Sequence, residues 1–265
     1  MKYLINVFGA VSLIFIPILL ILTVPPAPIS TQPVTITVSA AASLTDALKD
    51  IAADFEKRNP GVNVELNLAS SGSLRLQIEA GAHIDVFASA SQKHVDILAG
   101  NGLIFNKSRQ DFAGNSLVLV TQKYRNINTI NDLLDENVER IAIGNPETSP
   151  VGRYARQSLM EAGLWDSVKD KVIFAENVKQ VLTYVERGEV DAGFVYMTDV
   201  DGTQPDRIDV VCTVPVSIPI LYPIAVESSS SNEAAAEEFN NFVTGENGRE
   251  ILKNNGFWLP DKDVV

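Results

Sequence analysis

Hydrophobic and polar positions follow two different periods along this chain. Residues 34–40 and 62–70, with the sequences VTITVSA and VNVELNLAS, alternate with a period of two, as half-buried β-strands do. Between them, apolar residues recur at helical spacing from Leu44 to Phe55, until the sequence NPG ends the pattern. Strand and helix patterns follow one another in the same way further along, which predicts an α/β fold with largely parallel sheets.

The chain contains more strand–helix units than a single small sheet needs, so we predict two lobes. Apolar runs at 116–120 and 222–226 are the candidate segments that cross between them. Lobe I is then expected to hold residues 34–117 and 225–265, and lobe II residues 118–224. A cleft between two such lobes is a common place for a small ligand.

The first residues of the chain differ from the rest. Lys2 is the only charged residue before an apolar run from Tyr3 to Val24, which the proline-rich PPAPISTQP follows. The run is about long enough to span a bilayer, and no clean A-x-A cleavage site comes after it. We therefore predict that residues 1–33 are a signal peptide or an N-terminal membrane anchor with a linker. No cysteine stands directly after the run, so we expect no lipid-modified cysteine there, and either alternative places the folded part outside the cytoplasm.

Charge and cysteine content narrow the function classes. The formal net charge of −12 argues against binding of nucleic acid or of an anionic membrane surface through a basic patch. The single cysteine, Cys212, cannot form an internal disulfide, and its place in IDVVCTVPV predicts packing in a buried strand.

Four predicted strand-to-helix junctions are rich in small or polar residues. They are AAAS at 40–43, ASSGS at 69–73, ETSPVG at 147–152 and AENV at 175–178. Ligands bind at such junctions in open parallel sheets, and the first amides of each helix have no partner inside it. Four helix starts that face one cleft could therefore hold an anion without lysine or arginine. Ser43 in the first junction also suits the N-cap position of its helix.

Five segments, in this order and spacing, resemble the periplasmic molybdate-binding proteins of ABC importers. They are AAASLTDAL, ASSGSLRLQIEAGAHIDVFASAS, GNSLVLV, GNPETSPVGRYA and GFVYMTD. The resemblance extends from about Val34 to Phe257. It implies the two-lobed periplasmic-binding-protein fold of type II, in which each lobe is a mostly parallel sheet flanked by helices and two strands cross between the lobes.

The resemblance also implies a set of oxyanion-binding residues, carried over by position. They are Ser43, Ser71, Val151, Val178 and Tyr196. Each serine would give a hydroxyl and an amide, each valine its first-turn amide and the tyrosine its hydroxyl, which makes seven donors. Pro150 has no amide and suits a helix start, so the amide after it is the expected donor. Valine at 151 and glycine at 72 depart from the family pattern and leave the cavity size open.

The implied function is that of an extracytoplasmic solute-binding protein, which captures molybdate or tungstate between its lobes and delivers it to an ABC transporter permease. We expect a monomer with no cofactor and no direct metal-cation ligands. Another tetrahedral oxyanion, such as sulfate or thiosulfate, is the alternative ligand. A site made of donors suits fully deprotonated oxyanions better than hydrogenphosphate, unless Asp46 or Glu147 reaches it.

A serine hydrolase is the competing class, because serines lie in two of the small-residue junctions. No G-x-S-x-G elbow is present, and only His83 and His94 could act as a base. The sequences GAHID and QKHVD predict a loop and an exposed helix, so we expect both histidines to be solvated and to bind no zinc. Arg75 and Arg153 lie one turn into helices beside the proposed site; either could steer the anion, but we predict that both face solvent. We therefore expect no enzymatic activity.

Overall fold

Strands and helices alternate through the part of the chain that the computed structural model describes, residues 33–201 and 207–261. The strands are β1 (Val34–Ala41), β2 (Val62–Ala69), β3 (Val86–Ala88), β4 (Gln110–Asn115), β5 (Leu117–Gln122), β6 (Ile141–Gly144), β7 (Val172–Ala175), β8 (Ala192–Tyr196), β9 (Ile208–Thr213) and β10 (Ile220–Val226). The helices are α1 (Thr45–Arg58), α2 (Ser71–Glu79), α3 (Gln92–Gly100), α4 (Pro150–Glu161), α5 (Trp165–Val168), α6 (Val178–Glu186), α7 (Met197–Asp201), α8 (Glu233–Thr244) and α9 (Glu246–Asn254). The predicted leader or anchor, residues 1–33, lies outside the described residues apart from Pro33. Among the helices of these ranges, none combines the length and the apolar character that a membrane span requires.

The described strands form two five-stranded sheets with the orders β2-β1-β3-β10-β4 and β7-β6-β8-β5-β9. Three neighbouring strands of each sheet are parallel, as the strand–helix alternation predicts. The remaining pairs are antiparallel, so the sheets are mixed rather than mostly parallel. Each antiparallel pair involves β5 or β10, the two strands that enter a sheet directly after the chain passes from the other sheet and not through a strand–helix–strand unit.

The strand bounds show where the chain passes from one sheet to the other. The first passage is at Ser116, between β4 and β5, and the second lies in residues 214–219, between β9 and β10. The lobe limits expected from the sequence lie nearby, at 117/118 and at 224/225. From here on, lobe I denotes residues 33–115 and 220–261 with the first sheet, and lobe II denotes residues 117–201 and 207–219 with the second.

Amphipathic helices cover both sheets and hold the strand ends in place. The predicted apolar face of α6 is buried over its whole length, from Val178 through Val181 and Leu182 to Val185. In lobe I, Phe55 of α1 packs edge-on against Phe239 of α8, with 5.2 Å between the ring centroids. This packing fixes the beginnings of the helices relative to the sheets, and three of the predicted binding residues, Ser71, Val151 and Val178, lie at those beginnings.

Three solvation predictions are wrong. His94 is only 2% exposed, because it lies on the face of α3 that also buries Val95 and Leu98, whereas His83 is exposed as expected. Arg75 is half-buried and pairs with Glu79 of its own helix.

The third wrong solvation prediction concerns Arg153. Its guanidinium donates a hydrogen bond to Ser91 Oγ of lobe I and lies over the Tyr154 ring.

The prediction for Cys212 also needs a correction. Because β9 is an edge strand, this side chain is half-buried and not fully buried.

Candidate functional site

A small cavity lies between the two lobes. All five residues singled out from the sequence line it: Ser43, Ser71, Val151, Val178 and Tyr196. The rest of the lining consists of Ala41, Ala42, Ser70, Ala90, Ser149, Pro150 and Asn177. None of these twelve described residues carries a charge, and neither Asp46 nor Glu147 reaches the cavity. The walls therefore offer neutral polar groups and small apolar surfaces.

The beginning of α2 leaves one of its first amides free for the cavity. Ser70 is the N-cap, and its hydroxyl accepts a hydrogen bond from the amide of Ser73 at 3.3 Å. The amide of Gly72 donates to the carbonyl of Thr148 at 2.8 Å. Ser71 comes first in the helix, so its amide has no acceptor within α2.

The hydroxyl of Ser71 is held with its hydrogen available. Its Oγ accepts a hydrogen bond of 3.0 Å from the buried amide of Ala90. A serine oxygen that already accepts from the protein still has its own hydrogen to donate. Ser71 can therefore give both its amide and its hydroxyl to one acceptor in the cavity.

Ser43 is not the helix N-cap that its sequence position favours. It lies inside a short 3-10 turn, Ala42–Leu44, and the cap position of α1 falls on Leu44. Its Oγ is 3.0 Å from the hydroxyl oxygen of Tyr222 in β10. The prediction of a cap is wrong because the 3-10 turn moves the start of α1 one residue on, from Leu44 to Thr45.

A chain of hydrogen bonds orients the hydroxyl of Ser43. The side-chain amide of Asn115 donates to Tyr222 Oη at 3.3 Å, and the amide of Ser116 donates to Asn115 Oδ1, which fixes the orientation of that side chain. Since Tyr222 accepts from Asn115, its own hydrogen is available for Ser43 Oγ. With Tyr222 as the donor of this pair, the hydrogen of Ser43 can point into the cavity.

Lobe II presents backbone amides at the starts of α4 and α6. Pro150 is the first residue of α4, as the sequence predicts, and Val151 is the second, so its amide has no acceptor within the helix. In α6, the N-cap residue Asn177 accepts a hydrogen bond from the backbone amide of Gln180 through its side chain. The backbone amide of Val178 takes no part in this cap. Both helix dipoles add partial positive charge at this end.

Tyr196 is a deeply buried polar residue of the cavity wall. It ends β8, it is 1% exposed, and its hydroxyl has no hydrogen-bond partner among the described residues. Burial raises the pKa of Tyr196 well above its ordinary value, and the neighbouring Tyr222 adds to this rise. The hydroxyl therefore keeps its proton and can donate it to a ligand.

A charged group flanks the cavity without lining it. Lys179 of lobe II lies 3.2 Å from the carboxylate of Asp46 in lobe I and 3.3 Å from that of Asp199 in lobe II. Burial raises the pKa of Asp199 to about 6, against the opposing effect of Lys179. The amide of Tyr196 donates to the other oxygen of Asp199, so this carboxylate helps to hold the end of β8.

Tyr222, Asn115 and Ser149 are the residues of this region that the sequence reasoning missed. The apolar strand pattern around Tyr222 indicates only that this residue is buried in the core. Asn115 ends a strand and belongs to no recognisable local motif. Ser149 lines the cavity just before the loop proline, and its place in the quoted ETSPVG junction was the available signal. The other two could be found only through contacts between distant parts of the chain.

The fold and the site can now be compared with known proteins. The sequence profile described as bacterial extracellular solute-binding protein matches residues 36–258. The chain belongs to this family. The family contains binding components of transport systems, so this extracellular solute-binding protein works outside the cytoplasm and is not an enzyme.

Curated relatives match most of this solute-binding chain. The molybdate-binding protein ModA of Escherichia coli is 40% identical over 84% of this chain and 89% of its own length. A putative ABC transporter substrate-binding lipoprotein of Bacillus subtilis is 36% identical over 86% of this chain and 88% of its own length.

Solved structures share the two-lobed α/β fold. The periplasmic molybdate-binding protein of Azotobacter vinelandii has a TM-score of 0.75 at 26% identity and covers 85% of this chain and 100% of its own. The sulfate-binding protein SubI of Mycobacterium tuberculosis has a TM-score of 0.78 at 18% identity, over 86% of this chain and 88% of its own. At that identity, the likeness to SubI concerns the fold alone.

Proposed function

We propose that this solute-binding protein captures molybdate or tungstate in the cavity between its lobes and delivers it to the membrane permease of an ABC importer. The observation that carries the proposal is a cavity lined by hydrogen-bond donors and small side chains, with no charged residue in its described lining. The relatives named as molybdate-binding proteins support this choice of ligand.

Neutral donors are sufficient to hold a dianion. Burial of an unpaired charge costs many kcal/mol, so a dry site must return the hydrogen bonds that water supplied. Hydrogen bonds to charged groups contribute about 1.5–3 kcal/mol each. The two serines, the two valine amides and Tyr196 would together offer seven, enough for tight binding after the costs of association.

The composition of the lining also selects the protonation state of the ligand. Molybdate, tungstate and sulfate are fully deprotonated dianions at neutral pH and need only donors. Hydrogenphosphate carries a proton that needs an acceptor, and no carboxylate lines the cavity. Sulfate or thiosulfate therefore remains the second candidate, and phosphate ranks below both.

Calorimetry on the purified protein tests the proposal. Titration with molybdate and with tungstate should each give saturable heat, and sulfate added in excess should displace neither. Saturable heat with sulfate or thiosulfate alone would assign the second candidate, and no heat with any of these anions would contradict oxyanion binding.

The finer points of location and assembly are also proposals. We propose that residues 1–33 either are removed on secretion or hold the protein at the outer face of the membrane. The Bacillus subtilis relative carries the name lipoprotein, whereas the one cysteine of this chain is Cys212 in β9. We further propose that the protein acts as a monomer. Cell fractionation, the intact mass of the protein and its size-exclusion volume test these points.

A further inference from the structure

A backbone hydrogen bond joins the two lobes directly beside the cavity. The amide of Gly72, the second residue of α2 in lobe I, donates to the carbonyl of Thr148 in lobe II at 2.8 Å. Ser71 and Ser149, the neighbours of these two residues in sequence, both line the cavity. The contact therefore lies between two of the loops that hold the proposed donors.

The contact leaves no room for a side chain at position 72. A Cβ atom on Gly72 would lie 2.3 Å from the carbonyl oxygen of Thr148 and 2.7 Å from its Cα, whereas ordinary contact begins at 3.4 Å. All of the nearest atoms belong to the Thr148 backbone, so no rotation of a side chain could relieve the overlap.

Helix α2 itself does not need a glycine at this position. Gly72 has no left-handed backbone conformation, and alanine is the better helix former. The requirement for glycine thus comes from the approach of lobe II, and it disappears when the lobes are apart.

Two polar contacts between the lobes are made by long, flexible side chains. Lys179 reaches Asp46, and Arg153 reaches Ser91, each through a long side chain that can follow a change in lobe separation. The contact of Gly72 with Thr148 joins backbone to backbone and cannot adapt in this way.

We propose that Gly72 sets how closely the two lobes approach over the cavity and is therefore an affinity-determining residue of this site. The inference rests on the proposed binding of an oxyanion between the lobes. With a Cβ at position 72, the loops must separate by about 1 Å to restore ordinary contact, from 2.3 to 3.4 Å. Donors from the two lobes then cannot all reach the same anion, because hydrogen bonds weaken with such a displacement.

The experiment compares Gly72→Ala with the matched control Gly100→Ala. Gly100 is also a helical glycine, it is exposed, and a Cβ on it would meet nothing within 4 Å. Molybdate affinity is measured by calorimetry, lobe closure by small-angle scattering with and without molybdate, and ligand-free stability by thermal unfolding.

Gly72→Ala should bind molybdate at least tenfold more weakly than the wild type and should show a smaller molybdate-induced decrease in radius of gyration. Its ligand-free unfolding temperature should not fall, and Gly100→Ala should match the wild type in affinity and closure. Equal affinity of Gly72→Ala and the wild type would overturn the inference while leaving the proposed function intact. An absence of heat from wild-type protein with any of the anions would overturn the proposed function and, with it, this inference.

Discussion

The two lobes contribute different kinds of donor to the cavity. In lobe I, the hydroxyl of Ser43 is hydrogen-bonded to the hydroxyl of Tyr222, and the hydroxyl of Ser71 accepts a hydrogen bond from the amide of Ala90. In lobe II, the hydroxyl of Tyr196 has no partner among the described residues. The lobe I hydroxyls thus have partners within the protein, whereas the lobe II hydroxyl would find its partner in the proposed ligand. Loss of a lobe I hydroxyl should harm both folding and binding, and loss of the lobe II hydroxyl should harm binding alone.

The lobes also differ in their expected response to acid. In lobe I, burial and then the positive charges of Arg153, Arg75 and Lys93 lower the pKa of His94 to about 4. In lobe II, burial raises the pKa of Asp199 to about 6. His94 binds its proton less readily in the folded protein than in the unfolded chain, so it favours folding above about pH 6.5. Asp199 binds its proton more readily when folded, so it favours folding at low pH.

The largest expected effect concerns His94. The stability that its neutral form gives should be complete above about pH 6.5 and lost as the pH falls towards 4, because the buried ring must then take up a proton. The difference in pKa corresponds to about 3 kcal/mol. Denaturant unfolding at pH 7 and pH 4.5 should show a smaller loss on acidification in His94→Leu than in the wild type. His83→Leu, at an exposed histidine, is the control. If His94→Leu lost as much unfolding free energy on acidification as the wild type does, the prediction would be contradicted.

The next effect is that of Ser71→Ala. It should weaken binding by about 1.5–3 kcal/mol through loss of a donor to a charged acceptor. It should also lower the ligand-free unfolding free energy by about 1–3 kcal/mol, because the buried amide of Ala90 loses its acceptor. Calorimetry and urea unfolding measure the two losses separately. Unchanged affinity would mean that the anion binds elsewhere.

Tyr196→Phe should separate binding from stability. The affinity should fall by about 1.5–3 kcal/mol, but the ligand-free stability should not fall, since no hydrogen bond of the described chain is lost. Calorimetry and urea unfolding are again the measurements. Tyr184→Phe, at a half-buried tyrosine outside the cavity, is the control and should leave the affinity unchanged. A destabilised Tyr196→Phe protein would contradict the contrast between the lobes.

The smallest effect is expected for Tyr222→Phe. The variant removes the hydroxyl that orients Ser43 but keeps Ser43 itself, so binding should weaken by about 0.5–1.5 kcal/mol. Calorimetry should show this loss together with a modest loss of ligand-free stability. If the affinity stayed at the wild-type value, the hydroxyl of Ser43 would not depend on Tyr222 for its orientation.

Local sequence patterns were sufficient for part of this description. The helical faces, the proline at the start of α4 and the small-residue junctions follow from periodicity and backbone chemistry, and the structure brings these junctions together. The burial of His94 was missed, because a polar residue beside an apolar helical face is ambiguous without the surfaces that pack on it. The direction of β10 was missed as well, because strand polarity in a sheet depends on the connections and not on local residues.

By itself, the sequence determined an α/β chain with two lobes, a resemblance to oxyanion binders and the five candidate residues, because each of these depends on residues close together along the chain. The tertiary structure alone decided that Tyr222 and Asn115 orient Ser43, that Tyr196 has no partner among the described residues, and that Gly72 meets the backbone of Thr148. These contacts join positions that are far apart in sequence, and their geometry is fixed only when both sheets are packed.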